Sequence, residues 1–344
     1  MRKNSTNVRS LKAALPRLGL RAGLQVMSAL APAATERWAL SRFATPTRNR
    51  HGGPKAPGGH RFTLPGRNGD LAAWDFGDGP TVLLAHGWSG HAAQISGFVP
   101  ALVAAGYHVV CFDQPAHGHS GGRRTNMLEF RDAVLTVGRR LGPLAGVIAH
   151  SLGATATLLA LDRGLRADRL VLMAPPIDPI PFAWAFANHV GLPRPRTEGL
   201  IKLLRDFLHA DLGGRYAVEA AAAARDPLLV IHDQDDRAVP IEQGRALAAA
   251  SPRAQLWPIS GLGHNRMLAD PAVVQTAVEF LRTGRVAARP VQPASLDQAS
   301  DQRILEQLSL TTHMLPIAQT LQASSTSPSQ SSSTALPQTS RAIG

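Results

Sequence analysis

The rhythm of apolar and polar positions changes near His60. Between about Leu11 and Phe43, apolar residues such as Leu18, Leu24, Val26, Leu30, Trp38 and Leu40 recur at helical spacing with arginines among them. That spacing predicts amphipathic helices, broken at Pro32. Thr45-Pro46 through Pro57-Gly58-Gly59 is a run of loop formers. From His60 onward, short apolar runs alternate with segments of helix length. Strands are predicted at Arg61–Leu64, Leu71–Phe76, Thr81–Ala85, Tyr107–Phe112, Gly146–His150, Arg169–Met173, Leu228–His232 and Gln255–Pro258. Several are almost wholly apolar, as strands buried on both faces are. Helices are predicted at Ala92–Ala105, Asn126–Leu141, Leu152–Asp162, Ile241–Ala250 and Pro271–Arg282. The alternation describes an α/β fold with a mainly parallel eight-stranded sheet flanked by helices.

One crossover breaks the rhythm. Pro176 to Asp226 places about fifty helix-forming residues where a simple connection needs far fewer, which predicts a small helical cap. The chain then divides into a helical extension and linker over 1–59, packed on the body, a domain over 60–284, and a tail over 285–344. The Ser-rich run from Ser324 to Thr334 is too polar to bury a core, so the tail is expected to be largely disordered and dispensable, with at most a short helix around Ser295–Leu308.

Charge sharpens this division. The formal net charge is +12, and the segment before Phe62 carries +11 of it, with twelve Lys and Arg against Glu36 alone. The rest of the chain is close to neutral and has no nucleic-acid-binding pattern, so nucleic acid is not an expected partner and the substrate site need not be basic. The basic arm leaves peripheral contact with a membrane surface open. No apolar stretch reaches the roughly 20 residues of a membrane-spanning helix. Leu18 to Ala34 resembles a secretory leader, but Arg21 interrupts its apolar part. The single cysteine, Cys111, lies in an apolar strand with no partner for a disulfide. A cytoplasmic location is the expectation.

Three segments carry chemistry. Gly146-Val147-Ile148-Ala149-His150-Ser151-Leu152-Gly153-Ala154 is an apolar strand, a serine and a helix-forming run, with small residues two before and two after the serine. A sharp strand-to-helix turn at Ser151 needs that smallness to avoid clashes. Leu228-Leu229-Val230-Ile231-His232-Asp233-Gln234-Asp235-Asp236-Arg237-Ala238-Val239-Pro240 is a strand followed by three carboxylates. Ser260-Gly261-Leu262-Gly263-His264 is a glycine-flanked loop that can present an imidazole.

In this order the segments resemble the α/β-hydrolase family over roughly His60 to Arg285. The resemblance implies Ser151 as nucleophile, His264 as general base and Asp236 as the acid that orients it. Aligning Val239-Pro240 selects Asp236 and leaves Asp233 and Asp235 as solvated turn residues, with Asp178 as an outside candidate. Thr81-Val82-Leu83-Leu84-Ala85-His86-Gly87-Trp88 resembles the family's strand ending in His-Gly, which implies the backbone NH groups of Trp88 and Leu152 as oxyanion donors. Asp113-Gln114-Pro115-Ala116-His117-Gly118-His119-Ser120 resembles a family loop of structural role. His117 and His119 lack a third ligand, so no metal is expected, and His86, His150 and His232 are expected to be packed neighbours. The helix ending in Phe43-Ala44-Thr45-Pro46, with His-Gly-Trp and Gly-Leu-Gly-His, further resembles a group of bacterial hydrolases.

The implied activity is hydrolysis of a carboxylic ester in a small-molecule acyl substrate, without a cofactor. Thioester and peptide cleavage are alternatives on the same residues, and a noncatalytic binding or scaffold role is the alternative of another kind. Specificity is expected to reside in the cap, with Ile177, Ile180, Phe182, Trp184 and Phe186 as candidate walls of an acyl pocket.

Overall fold

The structure, a computed structural model, describes residues 19–50, 52–213 and 216–286. The segment 287–344, with the helix expected near 295–308, lies outside the described residues, as do residues 1–18. Residues 19–30 are helical and lead into α1, Pro32–Phe43, so Pro32 separates two helices as its missing N–H requires.

Eight strands form one sheet: β1 His60–Leu64, β2 Leu71–Phe76, β3 Thr81–Ala85, β4 His108–Phe112, β5 Gly146–His150, β6 Leu170–Met173, β7 Leu228–Asp233 and β8 Ala254–Ile259. Their order is β1-β2-β4-β3-β5-β6-β7-β8, antiparallel at β1–β2 and β2–β4 and parallel from β4 to β8. Alternate residues of each central strand feed opposite cores. Leu83, Val147, Leu170 and Val230 belong to one buried cluster, while Leu84, Ile148, Val171 and Ile231 belong to the other. That two-sided burial explains the unbroken apolar runs.

The flanking helices are α2 Met127–Leu141, α3 Leu152–Asp162, α4 Ile180–Val190, α5 Arg194–Leu212, α6 Ala217–Ala223, α7 Ile241–Ala250 and α8 Pro271–Thr283. Asn126 caps α2 by accepting from the N–H groups of Leu128 and Glu129, and Asp270 caps α8 in the same way. The single helix expected over Ala92–Ala105 is instead broken into Ala92–Ile95, a tight turn at Ser96–Phe98, and Val99–Ala104. Pro100 has no N–H to donate to the carbonyl of Ser96, so the helix restarts there.

The insertion between β6 and β7 is also more divided than its composition suggested. Only α4 and α5 form a cap, whereas α6 packs on α3 and α7 as part of the layer that covers the sheet. The cap is completed by the amino-terminal extension. Leu24 and Ala39 bury themselves against Ala187, Leu192 and Leu200, and Glu36 pairs with Arg196 at 2.9 Å. The extension continues onto the body, where the N–H of Thr125 donates to the carbonyl of Ala44 at 2.8 Å.

Candidate active site

Ser151 stands between β5 and α3 with φ 51° and ψ −127°, in the positive-φ region that side chains other than glycine avoid. Such a conformation costs about 1–3 kcal/mol and persists only where neighbours enforce it. Its N–H donates to the carbonyl of Met173 at 2.8 Å. A side chain at Gly153 would put a Cβ 2.4 Å from the carbonyl oxygen of His86, and one at Gly87 would fall 2.8 Å from the Cβ of Ser151. Bare backbone at these two positions lets the end of β3 press against the turn. The same approach brings Trp88 beside Ser151 on one cavity wall. Leu152 opens α3, where an N–H has no acceptor within the helix.

The carboxylate of Asp236 is sealed from solvent and lies 2.7 Å from Nδ1 of His264, which opens towards the cavity. Its other oxygen accepts from the N–H groups of Ala238 and Val239 at 2.8 and 2.9 Å. Burial opposes its ionisation, but the bond and charge of His264 and the two N–H donors outweigh it and hold the carboxyl below its ordinary range. With Nδ1 donating to Asp236, Nε2 of His264 is left as the basic nitrogen. Ser151 and His264 line the same cavity. Among the described residues the Ser151 hydroxyl makes no hydrogen bond.

The other carboxylates of the turn part ways. Asp178 is exposed and accepts from the N–H of Ile180, the first residue of α4. Asp235 is exposed, as expected. Asp233 is not a solvated turn residue. It is fully buried and accepts from the N–H of Asp235 and, across the loop, from that of Leu262, each at 2.7 Å. It therefore anchors the segment that carries His264. Its place at the end of a buried strand is the signal that was available in the sequence.

His150 has a second such role. Its Nε2–H donates to the carbonyl of His264 at 2.9 Å, and the two rings lie 4.6 Å apart. Burial lowers the pKa values of His86, His117 and His150 to about 3. Each is held as a neutral imidazole. His86 meets the carbonyl of Gly87 with one ring nitrogen and accepts from the N–H of Gln114 with the other. His117 is committed to the carbonyl of Pro115 and the N–H of Ser89, while His119 turns to Asp113, so the two do not converge. Cys111 is buried in β4, and burial raises its thiol pKa.

The cavity before Ser151 has a volume of about 500 Å³. Of the candidate walls in the cap, Phe182 alone lines it, joined by Leu204, Phe207 and Leu208 of α5. Ile177, Ile180 and Trp184 pack on the body's core, and Phe186 turns towards Phe43, with ring centroids 5.5 Å apart. The other wall comes from the extension, through Arg37, Leu40, Ser41, Phe43 and Ala44. The basic extension thus reaches the site.

Residues 82–277 match the alpha/beta hydrolase family, and with this sheet and this turn the chain belongs to that family. Its relatives include human Protein ABHD12B, 28% identical over 225 residues that cover 59% of this chain and 60% of that protein. The chain thus spans less than two thirds of the human relative. A monoacylglycerol lipase of Mycolicibacterium smegmatis is 26% identical over 53% of this chain and 80% of its own length. A pimeloyl-(acyl-carrier protein) methyl ester esterase of Methylococcus capsulatus is 30% identical over 50% of this chain and 82% of its own. Among solved structures, the Pyrococcus furiosus esterase Pf2001 superposes with a TM-score of 0.55 at 21% identity, covering 69% of this chain and 98% of that one, a likeness of fold.

Proposed function

We propose that the protein is a serine hydrolase that cleaves a carboxylic ester through an acyl-enzyme on Ser151. The observation that carries the reading is the bond between Asp236 and His264 Nδ1 at 2.7 Å beside a strained, cavity-facing serine. Relatives named for ester cleavage support the same class of reaction.

In this reading Nε2 of His264 takes the hydroxyl proton as Ser151 Oγ attacks the ester carbonyl. Asp236 holds the tautomer and stabilises the imidazolium. The N–H groups of Trp88 and Leu152 receive the oxyanion, a contribution of about 3 kcal/mol for each donor. Collapse expels the alcohol with the proton from His264. Water then repeats the sequence on the acyl-enzyme and releases the acid.

A fluorophosphonate probe and a panel of nitrophenyl esters test this. Wild type is expected to label and turn over esters, and Ser151→Ala to do neither while unfolding as wild type does. Labelling that persists in Ser151→Ala would refute the assignment. Thioester and peptide substrates in the same panel separate the neighbouring activities.

A further inference from the structure

We propose that the cavity selects esters that join an apolar chain to an anionic group, with Arg37 and Arg124 holding the anion. The inference rests on the ester-hydrolase reading of the site. The cavity wall is mostly apolar, with Leu40, Phe43, Met127, Phe182, Leu204 and Leu208 facing it. Among the described residues that line it there is no Asp or Glu, yet two arginines reach it.

Those arginines come together from distant parts of the chain. Arg37 and Ser41 lie one helical turn apart on α1 and so share a face. Arg124 donates through Nη1 to the hydroxyl of Ser41 at 2.9 Å. Arg37 and Arg124 therefore both border the cavity beside Ser41. Ser41 is neutral, and among the described residues neither Arg124 nor Arg37 has an ion pair. Several other arginines around the cap are matched internally, Arg196 by Glu36 and both Arg131 and Arg163 by Asp211. Two exposed, unmatched guanidinium groups at the edge of an apolar cavity attract a carboxylate or phosphate and bind it through forked hydrogen bonds.

The anion can sit at the far end of the acyl chain or on the alcohol, and two pairs of substrates distinguish these. One pair is the mono-4-nitrophenyl ester of suberic acid and 4-nitrophenyl octanoate. The other is a 1-acylglycerol 3-phosphate and the monoacylglycerol of the same chain. In at least one pair the anionic ester is expected to exceed its neutral twin about tenfold in kcat/KM, the factor that one charge-assisted contact supplies. That ratio is expected to fall towards one in Arg37→Gln/Arg124→Gln and, in wild type, with added salt. Equal or reversed preference in both pairs, or a ratio unchanged in the double variant, overturns the inference. Calorimetric binding of the same esters to Ser151→Ala reads the preference without turnover. If wild type hydrolyses nothing but this binding preference persists and depends on the arginines, the reaction assigned to the site fails and the anion site stands; equal binding of the twins overturns the anion site.

Discussion

Three carboxylates crowd one turn, and their surroundings give them different work. In Asp236→Asn the amide oxygen keeps the N–H groups of Ala238 and Val239, so the amide NH2 must face His264. A donor there demands an unprotonated Nδ1, which places the proton on Nε2 and removes the base. Turnover is expected to fall about 10³-fold or more, with the fold retained. Asp233→Asn acts differently, because both oxygens of the buried Asp233 accept from backbone N–H groups and an amide can satisfy only one of them. A stability loss of about 1–3 kcal/mol is expected in urea unfolding, with a smaller loss of kcat than at Asp236. Steady-state kinetics showing the larger loss at Asp233 would reassign the acid.

Among the elements, the cap helices divide labour by face. Phe182 on α4 and Phe207 on α5 line the cavity, and Phe207 is 45% exposed, so trimming it removes little core. Phe182→Ala and Phe207→Ala are expected to shift the preferred length of nitrophenyl esters about tenfold while Ser151 still labels, since each methylene in such a pocket is worth about 1–3 kcal/mol. Trp184 packs on the core instead. Trp184→Ala is expected to lower the denaturation midpoint and leave the chain-length profile in place. A profile that moves with Trp184 and not with the two phenylalanines would contradict the described faces.

For the whole molecule, the neutral buried histidines set the response to acid. His86, His117 and His150 titrate near 6.5 when unfolded and at about 3 when folded. Between those values the unfolded chain holds the extra protons, so stability is full above pH ~6.5 and is lost as pH falls towards 3. Each histidine contributes a slope of about 1.4 kcal/mol per pH unit, or about 4 kcal/mol for the three, against a usual total of about 5–15 kcal/mol. The urea midpoint is expected to drop steeply from pH 6.5 to 5. Unfolding near pH 5 is expected to take up at least about three protons, since burial also lowers the pKa of His232, measured by calorimetry in buffers of different ionisation heat. His117→Gln, which can still accept from Ser89, should flatten the slope by about 1.4 kcal/mol per pH unit. An uptake near zero would show that these rings ionise in the folded protein.

What the sequence by itself determined were features written in neighbouring residues. Period-two burial located the strands of the sheet, since Leu83 and Leu84 face opposite cores and leave an apolar run. The small residues Ala149 and Gly153, two before and two after, marked the turn at Ser151, and a Cβ at Gly153 would indeed fall 2.4 Å from the carbonyl oxygen of His86. Likewise Val239-Pro240 pointed to Asp236, and the glycine-flanked loop to His264, the residue it meets. Only the tertiary structure decided what surrounds them. The cavity is assembled from α1, the segment at Arg124, and α4 with α5, whose separation along the chain exceeds any local pattern. Helical periodicity made Phe182, Trp184 and Phe186 equivalent apolar residues, and which of them met space or a neighbour depended on how α1 and the body packed around α4. Asp233 and His150 took their roles from backbone groups of a loop that folds back from the far side of β8, at Leu262 and His264, because a buried polar atom takes whatever partner packing brings within reach.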